Sequence, residues 1–336
     1  MAGHERTRVV FEGLLRRGRT GDRATAASPE APISGDAPSI GLALGGGAAR
    51  GFAHIGVLRT LAQHGISPDI IVGTSIGAVV GGCYAAGQID EFEEWCKHLN
   101  VRRVLGYLDV SFTGAGLIGG GRLANRLAKG LGRTKIEDLP IRFASIATEV
   151  STGHEIWLTR GPLVDAMRAS YALPGIFPPV HVGGRWLVDG ALVNPVPVAA
   201  ARALGARLVI AVNLNADVFN RGGTISDFGV DIAEMAPAEA EKKNGWRGAE
   251  RLLRRKFFGQ RGRPGIPGVM IDAFNVMQDR ITRSRLAGDP PDVTINPRLG
   301  QLGWSDFHRA SEAIAAGAEA TERAIETVQE AVAALS

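Results

Sequence analysis

The sequence predicts an α/β protein, a three-layer α/β/α sandwich with a mostly parallel central sheet. Three observations predict it: short apolar runs of strand length recur along the chain, helix-length segments alternate with them, and glycine-rich turns close the first two strand-to-helix junctions. Runs such as SIGLALGG and DIIVG are mainly apolar, which is the pattern of strands covered on both faces, as in parallel sheets. With 336 residues, 45% of them hydrophobic, the chain has material for one large domain or two ordinary ones.

The elements follow in order. Residues 1–37 read as a flexible tail that runs into the Ser/Pro/Ala/Gly-rich stretch ATAASPEAPISGDAPS. From Ile40 the pattern changes to the strand SIGLALGG and the helix AHIGVLRTLAQHG. DIIVG is a second strand and AVVGGCYAAG a second helix. IRFASIATE, HEIWLTR, RWLVD and RLVIAVNL are further strands, and helices are expected at 90–99, 121–131, 162–170, 195–204, 269–287 and 304–334. Residues 215–268 interrupt the alternation with a stretch rich in Gly, Ala, Arg and Glu, too long for an ordinary connection, so the 38–336 domain is expected to carry a basic insertion there.

Charge and cysteine content exclude several classes. The net charge of +4 is uneven: WRGAERLLRRKFFGQRGR (246–263) carries +6 and residues 1–23 carry +3, which leaves −5 on the rest. Two local basic segments on an acidic body are no nucleic-acid footprint. Cys83 and Cys96 are the only cysteines, so a reducing, cytoplasmic setting is expected rather than a secreted disulfide scaffold. The N-terminus lacks a signal-length apolar core. Ile70–Gln88 is uncharged over a length that could cross a membrane, yet Gly73-Thr74-Ser75-Ile76-Gly77 breaks it, so a buried strand, turn and helix is expected instead.

That pentapeptide is the strongest chemical signal. A nucleophilic serine needs a tight strand-to-helix turn that exposes its Oγ, and glycines at 73 and 77 relieve the crowding of such a turn. The next helix also points its positive N-terminal end at a developing oxyanion. The bland alternative is a glycine-rich turn that only packs a helix on a sheet. The second signal is Gly45-Gly46-Gly47-Ala48-Ala49-Arg50-Gly51, whose backbone N–H groups can hold an anion. A dinucleotide loop would need a third glycine where Arg50 stands, or a glycine at Ala48, and no acidic residue about 20 positions later closes a ribose-binding strand, since that region reads DIIVGTS. An oxyanion hole serving Ser75 is the competing reading. The third signal is Asp189-Gly190-Ala191 after RWLV, at a strand end where ligands bind in α/β sheets, although a turn or cap aspartate would look the same.

Together these blocks resemble the patatin-like phospholipase family: LALGGGAARGFAHIGVL, IVGTSIGAVVGGCYAAG, SYALPGIFPPV and LVDGALVNPVPV occur in the family's order and spacing. The resemblance covers roughly 38–215, resumes over 269–320, notably at PPDVTINP, and is nearest to bacterial members related to the neuropathy target esterase catalytic domain. Ala48 departs from it, since many relatives have a fourth glycine there. The resemblance implies a Ser–Asp dyad, with Ser75 as nucleophile and Asp189 as base. It also implies an oxyanion hole from Gly46, Gly47 and Ala48, with Arg50 ordering the loop. An unperturbed Asp, with a pKa of about 3.9, is a weak base, and an apolar acyl pocket would raise it.

A histidine triad would have to use His308, the only histidine after Asp189, which is expected on a surface helix; His54, beside the glycine loop, suits packing better than catalysis. No His/Cys/Asp grouping has metal-ligand spacing, so no metal or cofactor is expected. On a helix, Trp246, Ala249, Leu252, Leu253 and Phe257 would share one face ringed by basic residues, a pattern suited to an anionic membrane surface. The expectation is a cytoplasmic, membrane-peripheral serine acyl hydrolase acting on lipid esters. Its rivals are a non-catalytic lipid-binding regulatory module and a nucleotide-binding protein using the 45–51 loop.

Overall fold

The computed structural model describes residues 39–100, 103, 120–217 and 266–335. The tail 1–37 and, within the expected insertion, residues 218–265 lie outside them, as does the whole basic segment 246–263.

Eight strands form one sheet: β1 (Ile40–Leu44), β2 (Ile70–Thr74), β3 (Arg142–Glu149), β4 (Glu155–Leu158), β5 (Val180–Val182), β6 (Arg185–Asp189), β7 (Leu208–Val212) and β8 (Val293–Ile295). β3, β2, β1, β7 and β8 are neighbours in that order and all parallel. β4 and β6 pair antiparallel with β3, and β5 forms a hairpin with β6. The helices are α1 (Ala53–Gln63), α2 (Ile76–Ala85), α3 (Ile89–Lys97), α4 (Gly121–Leu131), α5 (Leu163–Tyr171), α6 (Val198–Ala203), α7 (Ile266–Gly288) and α8 (Ala310–Ala333).

Both faces of β1, β2 and β7 are buried, which is why their sequences are almost wholly apolar. Leu42, Leu44, Ile71, Phe143, Ile210 and Val212 point into the larger core, against α1, α2, α5 and α8. Ala43, Ile70, Val72, Ile146, Val209 and Ala211 point the other way, toward α6 and Leu286 of α7. The expected three-layer sandwich is therefore present, with one thick helical layer and one thin one. In the thick layer α1 and α8 cross closely: a Cβ on Gly317 would collide with the Ala53 carbonyl, and one on Gly56 with that of Ile314.

Boundaries differ from the sequence-based expectation for local reasons. The helix expected at 195–204 starts only at Val198, because Pro195 and Pro197 hold the residues before them out of helical geometry. The helix expected from 304 starts at Ala310, after a 3-10 turn at Phe307–Arg309. β5 and β8, three residues each, are too short to stand out in sequence. Ile70–Gln88 is strand, turn and helix, as expected, and among the described residues no helix is long and apolar enough to cross a membrane.

Candidate active site

Sheet topology brings the two predicted reactive residues together. On β3, β4 pairs with residues 145–148, which overlaps in register both β2 (at 142–146) and β6 (at 147–149). β4 therefore occupies one edge of β3, while β2 and β6 share the other, end to end. Thr74 pairs with Ile146 and Asp189 with Ala147, on successive rungs. β2 runs up to this point and β6 runs down to it, so Ser75 and Asp189 meet at the junction.

Ser75 Oγ donates to Asp189 Oδ2 at 2.7 Å. Ser75 has φ +56° and ψ −122°, a left-handed backbone that costs on the order of 1–3 kcal/mol for a non-glycine residue. The surroundings hold it there: its N–H donates to Ser170 Oγ at 2.7 Å, and the hydroxyl of Thr74 donates to the Asn194 carbonyl at 2.8 Å. Gly73 and Gly77 serve this turn by close approach, since a Cβ on Gly73 would collide with the Ala78 backbone and one on Gly77 with the Leu44 carbonyl.

Asp189 is fixed from several sides. Its other carboxylate oxygen, Oδ1, accepts from the Ala191 N–H at 2.8 Å, across Gly190, and its carbonyl accepts from the Thr148 hydroxyl at 2.9 Å. It is only 2% exposed. Burial lifts its pKa from 3.8 to about 7, against the opposing hydrogen bonds from Ala191 and Ser75. A carboxylate so placed can take a proton from Ser75 near neutral pH.

The glycine loop differs from expectation at one position. Gly46 N–H donates to the Pro195 carbonyl at 3.0 Å, and Gly45 N–H to that of Val212 at 3.1 Å. Ala49 and Arg50 give their N–H groups to Trp304 and Gly47 carbonyls. Among the described residues, Gly47 and Ala48 are thus the two positions of 45–50 whose N–H has no backbone acceptor, and both line the cavity that holds Ser75. The three amides expected for an anion reduce to two. Ala48 has φ +50°, a left-handed conformation that favours glycine. Arg50 lies buried beneath the loop, with Nη1 donating to Asn215 Oδ1 at 2.8 Å and Nη2 to Asn275 Oδ1 at 3.3 Å. Burial pulls its pKa down while the charge of Asp217 opposes that shift.

Neither histidine bonds to Asp189. His54 is fully buried and its Nε2 donates to the Gly45 carbonyl at 2.7 Å; burial lowers its pKa to about 4, so it is neutral and acts as a strut for the loop. His308 is exposed on the 3-10 turn before α8.

Ser75 and Asp189 open into a cavity of about 150 Å³ walled by Phe52, Phe92, Trp95, Phe177, Phe274 and Trp304. The lining combines the Ser75 hydroxyl and the Asp189 carboxylate with apolar, aromatic walls that suit an apolar group. Sequence reasoning missed Ser170, Asn194, Asn215, Asn275 and Gln278. Ser170 lies at the start of a quoted motif block, but Asn275 and Gln278 sit on α7 with no local signal beyond a polar stripe, which ordinarily marks a solvent face.

Comparison with known proteins adds four findings. Residues 42–202 match the family described as patatin-like phospholipase. An uncharacterised NTE family protein of Mycobacterium tuberculosis is 34% identical over 333 residues, covering 87% of this chain and 92% of its own length. The lysophospholipase nte1 of Neurospora crassa is 31% identical over 211 residues, covering 56% of this chain and 13% of its own. Among solved structures, VipD from Legionella pneumophila aligns with a TM-score of 0.45 at 12% identity, covering 86% of this chain and 67% of that one.

Proposed function

The chain belongs to the patatin-like phospholipase family, and from that premise we propose that it is a serine acyl hydrolase that cleaves lipid acyl esters through a Ser75–Asp189 dyad. The observation that carries the reading is the 2.7 Å hydrogen bond from Ser75 Oγ to the buried Asp189 carboxylate in the lining of an apolar cavity.

In the first step Ser75 Oγ attacks the ester carbonyl carbon while Asp189 takes its proton. The carbonyl electron pair moves onto oxygen, where the N–H groups of Gly47 and Ala48 and the N-terminal end of α2 stabilise it. Collapse expels the alcohol, which takes the proton from Asp189, and leaves an acyl-Ser75 ester. Water then attacks with Asp189 again accepting a proton. The second collapse releases the fatty acid and returns the proton to Ser75.

Phospholipase A, lysophospholipase and simple esterase activities all fit this chemistry. The sequence supports a further part of the proposal, that 246–263, with its +6 charge, contacts an anionic membrane surface and that the enzyme works in the cytoplasm. Liposome co-sedimentation with and without residues 246–263 checks that contact, and unchanged binding removes it.

Fluorophosphonate labelling and turnover of a p-nitrophenyl ester test the dyad in Ser75→Ala, Asp189→Asn and His308→Ala. The dyad requires loss in the first two and near-normal turnover in the third. Loss in a folded His308→Ala replaces the dyad with a triad.

A further inference from the structure

The glycine loop offers two backbone donors to an oxyanion, because the N–H of Gly46 is engaged with Pro195. A side chain from a distant part of the sequence stands in front of that position. An ideal Cβ built on Gly46 would lie 3.5 Å from Gln278 Nε2 and 3.5 Å from Ser75 Cβ. The Gln278 amide nitrogen and the Ser75 side chain therefore flank the same point. Gln278 is 3% exposed and lines the same cavity as Ser75 and Asp189.

The orientation of the Gln278 carboxamide follows from the chain of hydrogen bonds behind it. Arg50 can only donate, so Asn215 must present Oδ1 to Arg50 Nη1, at 2.8 Å. That leaves the Asn215 Nδ2 to donate to Gln278 Oε1, at 3.3 Å. Gln278 is then bound to turn Nε2, its two-hydrogen donor, away from Asn215. A second bond fixes the middle of the chain, since the Asn215 N–H donates to Asn213 Oδ1 at 3.0 Å. The three groups form one directed series from a buried guanidinium to the Gln278 carboxamide, which lines the cavity with Ser75, and bonds aligned this way polarise one another. Arg50, besides ordering the loop, is the positive end of that series.

We propose that Gln278 is a substrate-contacting residue of the reaction, whose Nε2–H donates to the ester carbonyl oxygen as it becomes an oxyanion, completing with Gly47 and Ala48 a three-donor hole. Asn215 is the positioning residue that aims it. The inference rests on the Ser75 acyl-transfer reading and extends it to α7, the helix that directly follows residues 218–265. A donor placed for the transition state lowers the barrier without tightening ground-state binding, so its removal acts on kcat.

The test uses the full chain, p-nitrophenyl butyrate as substrate, and 1,1,1-trifluoro-2-dodecanone, a ketone that forms a tetrahedral adduct with a nucleophilic serine. Gln278→Met keeps the length of the side chain and removes the donor. Gln278→Glu keeps the shape and the bond from Asn215 but turns an acceptor toward the cavity. In both, kcat is expected to fall on the order of 10²-fold with KM within about twofold, and affinity for the ketone is expected to fall in step with kcat/KM. A structural role alone would not make ketone affinity track kcat. Wild-type kcat in Gln278→Glu, or a change confined to KM, overturns the inference while the Ser75 reading stands. A wild-type protein that neither turns over the ester nor labels with fluorophosphonate overturns both.

Discussion

The two oxygens of Asp189 have separate partners: Oδ2 accepts from Ser75 and Oδ1 accepts from the Ala191 N–H. The second bond holds the carboxylate plane so that the first is aimed, and the tight Gly190–Leu192 turn after β6 supplies it. Asp189→Asn keeps the size of the side chain and removes its basicity. Turnover should drop by about 10²–10⁴-fold, the range of general-base catalysis, with the fold retained. Steady-state kinetics and a thermal melt on the same sample check this, and near-normal turnover in the variant would show that Asp189 is not the base.

Burial sets the pH behaviour. The folded carboxyl titrates at about 7 instead of 3.8, and only its ionised form can accept a proton from Ser75. The kcat/KM profile should rise about tenfold per pH unit below this value and level off above it. Stability runs the other way. A carboxyl whose pKa is raised on folding contributes fully below about 3.8, and that contribution is lost as pH climbs to about 7. Asp189→Asn escapes the loss, so its melting temperature should gain on the wild type between about pH 4 and pH 7, and the difference should then stay constant. A difference independent of pH would mean that Asp189 does not titrate in this range.

Much of this was legible in the sequence for a physical reason. Ser75, Gly73 and Gly77 announce themselves because a strained elbow needs glycines at fixed spacing, and the strands around them are apolar because both faces are covered. Asp189 was legible through motif order. The register on β3 that sets it opposite Ser75 was not, since pairing partners leave no local mark. Gly46 was assigned to the anion site because its backbone cannot be told from that of Gly47 until the carbonyl of Pro195 is seen beside it. Helix α7 was the least legible: Asn275, Gln278, Asp279 and Thr282 are buried on it while Val269, Met270, Val276 and Met277 are exposed. Its polarity is partly inverted because Asn275 and Gln278 meet the buried Arg50 and Asn215, while Phe274 and Leu286 of the same helix pack against apolar residues.

Ala48 carries a removable strain. Its φ of +50° costs an alanine roughly 1–2 kcal/mol, and glycine returns part of that in backbone entropy. Ala48→Gly should therefore stabilise the protein by up to about 1 kcal/mol, a rise of roughly 2 °C in melting temperature for a chain of this size. Ala48→Val should lower it, because a β-branched residue resists this conformation more strongly. Scanning calorimetry on the two variants checks the sign, and a lower melting temperature for Ala48→Gly would refute the strain.

Arg50 joins three parts of the sequence at one point: the glycine loop, Asn215 after β7, and Asn275 on α7. A guanidinium does this because its planar fork offers separate donors to the two amide oxygens, 2.8 Å and 3.3 Å away. Lysine brings a single ammonium, which cannot reproduce both directions, and burial would favour its neutral form. Arg50→Lys should lower both the melting temperature and kcat, the latter by at least about tenfold, because α7 and the loop lose their common anchor. Arg323→Lys is the control: Arg323 lies on the surface of α8 and bonds to Glu319 within one helix, so its replacement should shift stability by less than about 1 kcal/mol. If Arg50→Lys behaves like Arg323→Lys in the melt and in turnover, the anchor is dispensable and the loop is held by its backbone bonds to Pro195, Val212 and Trp304 together with the His54 bond to Gly45.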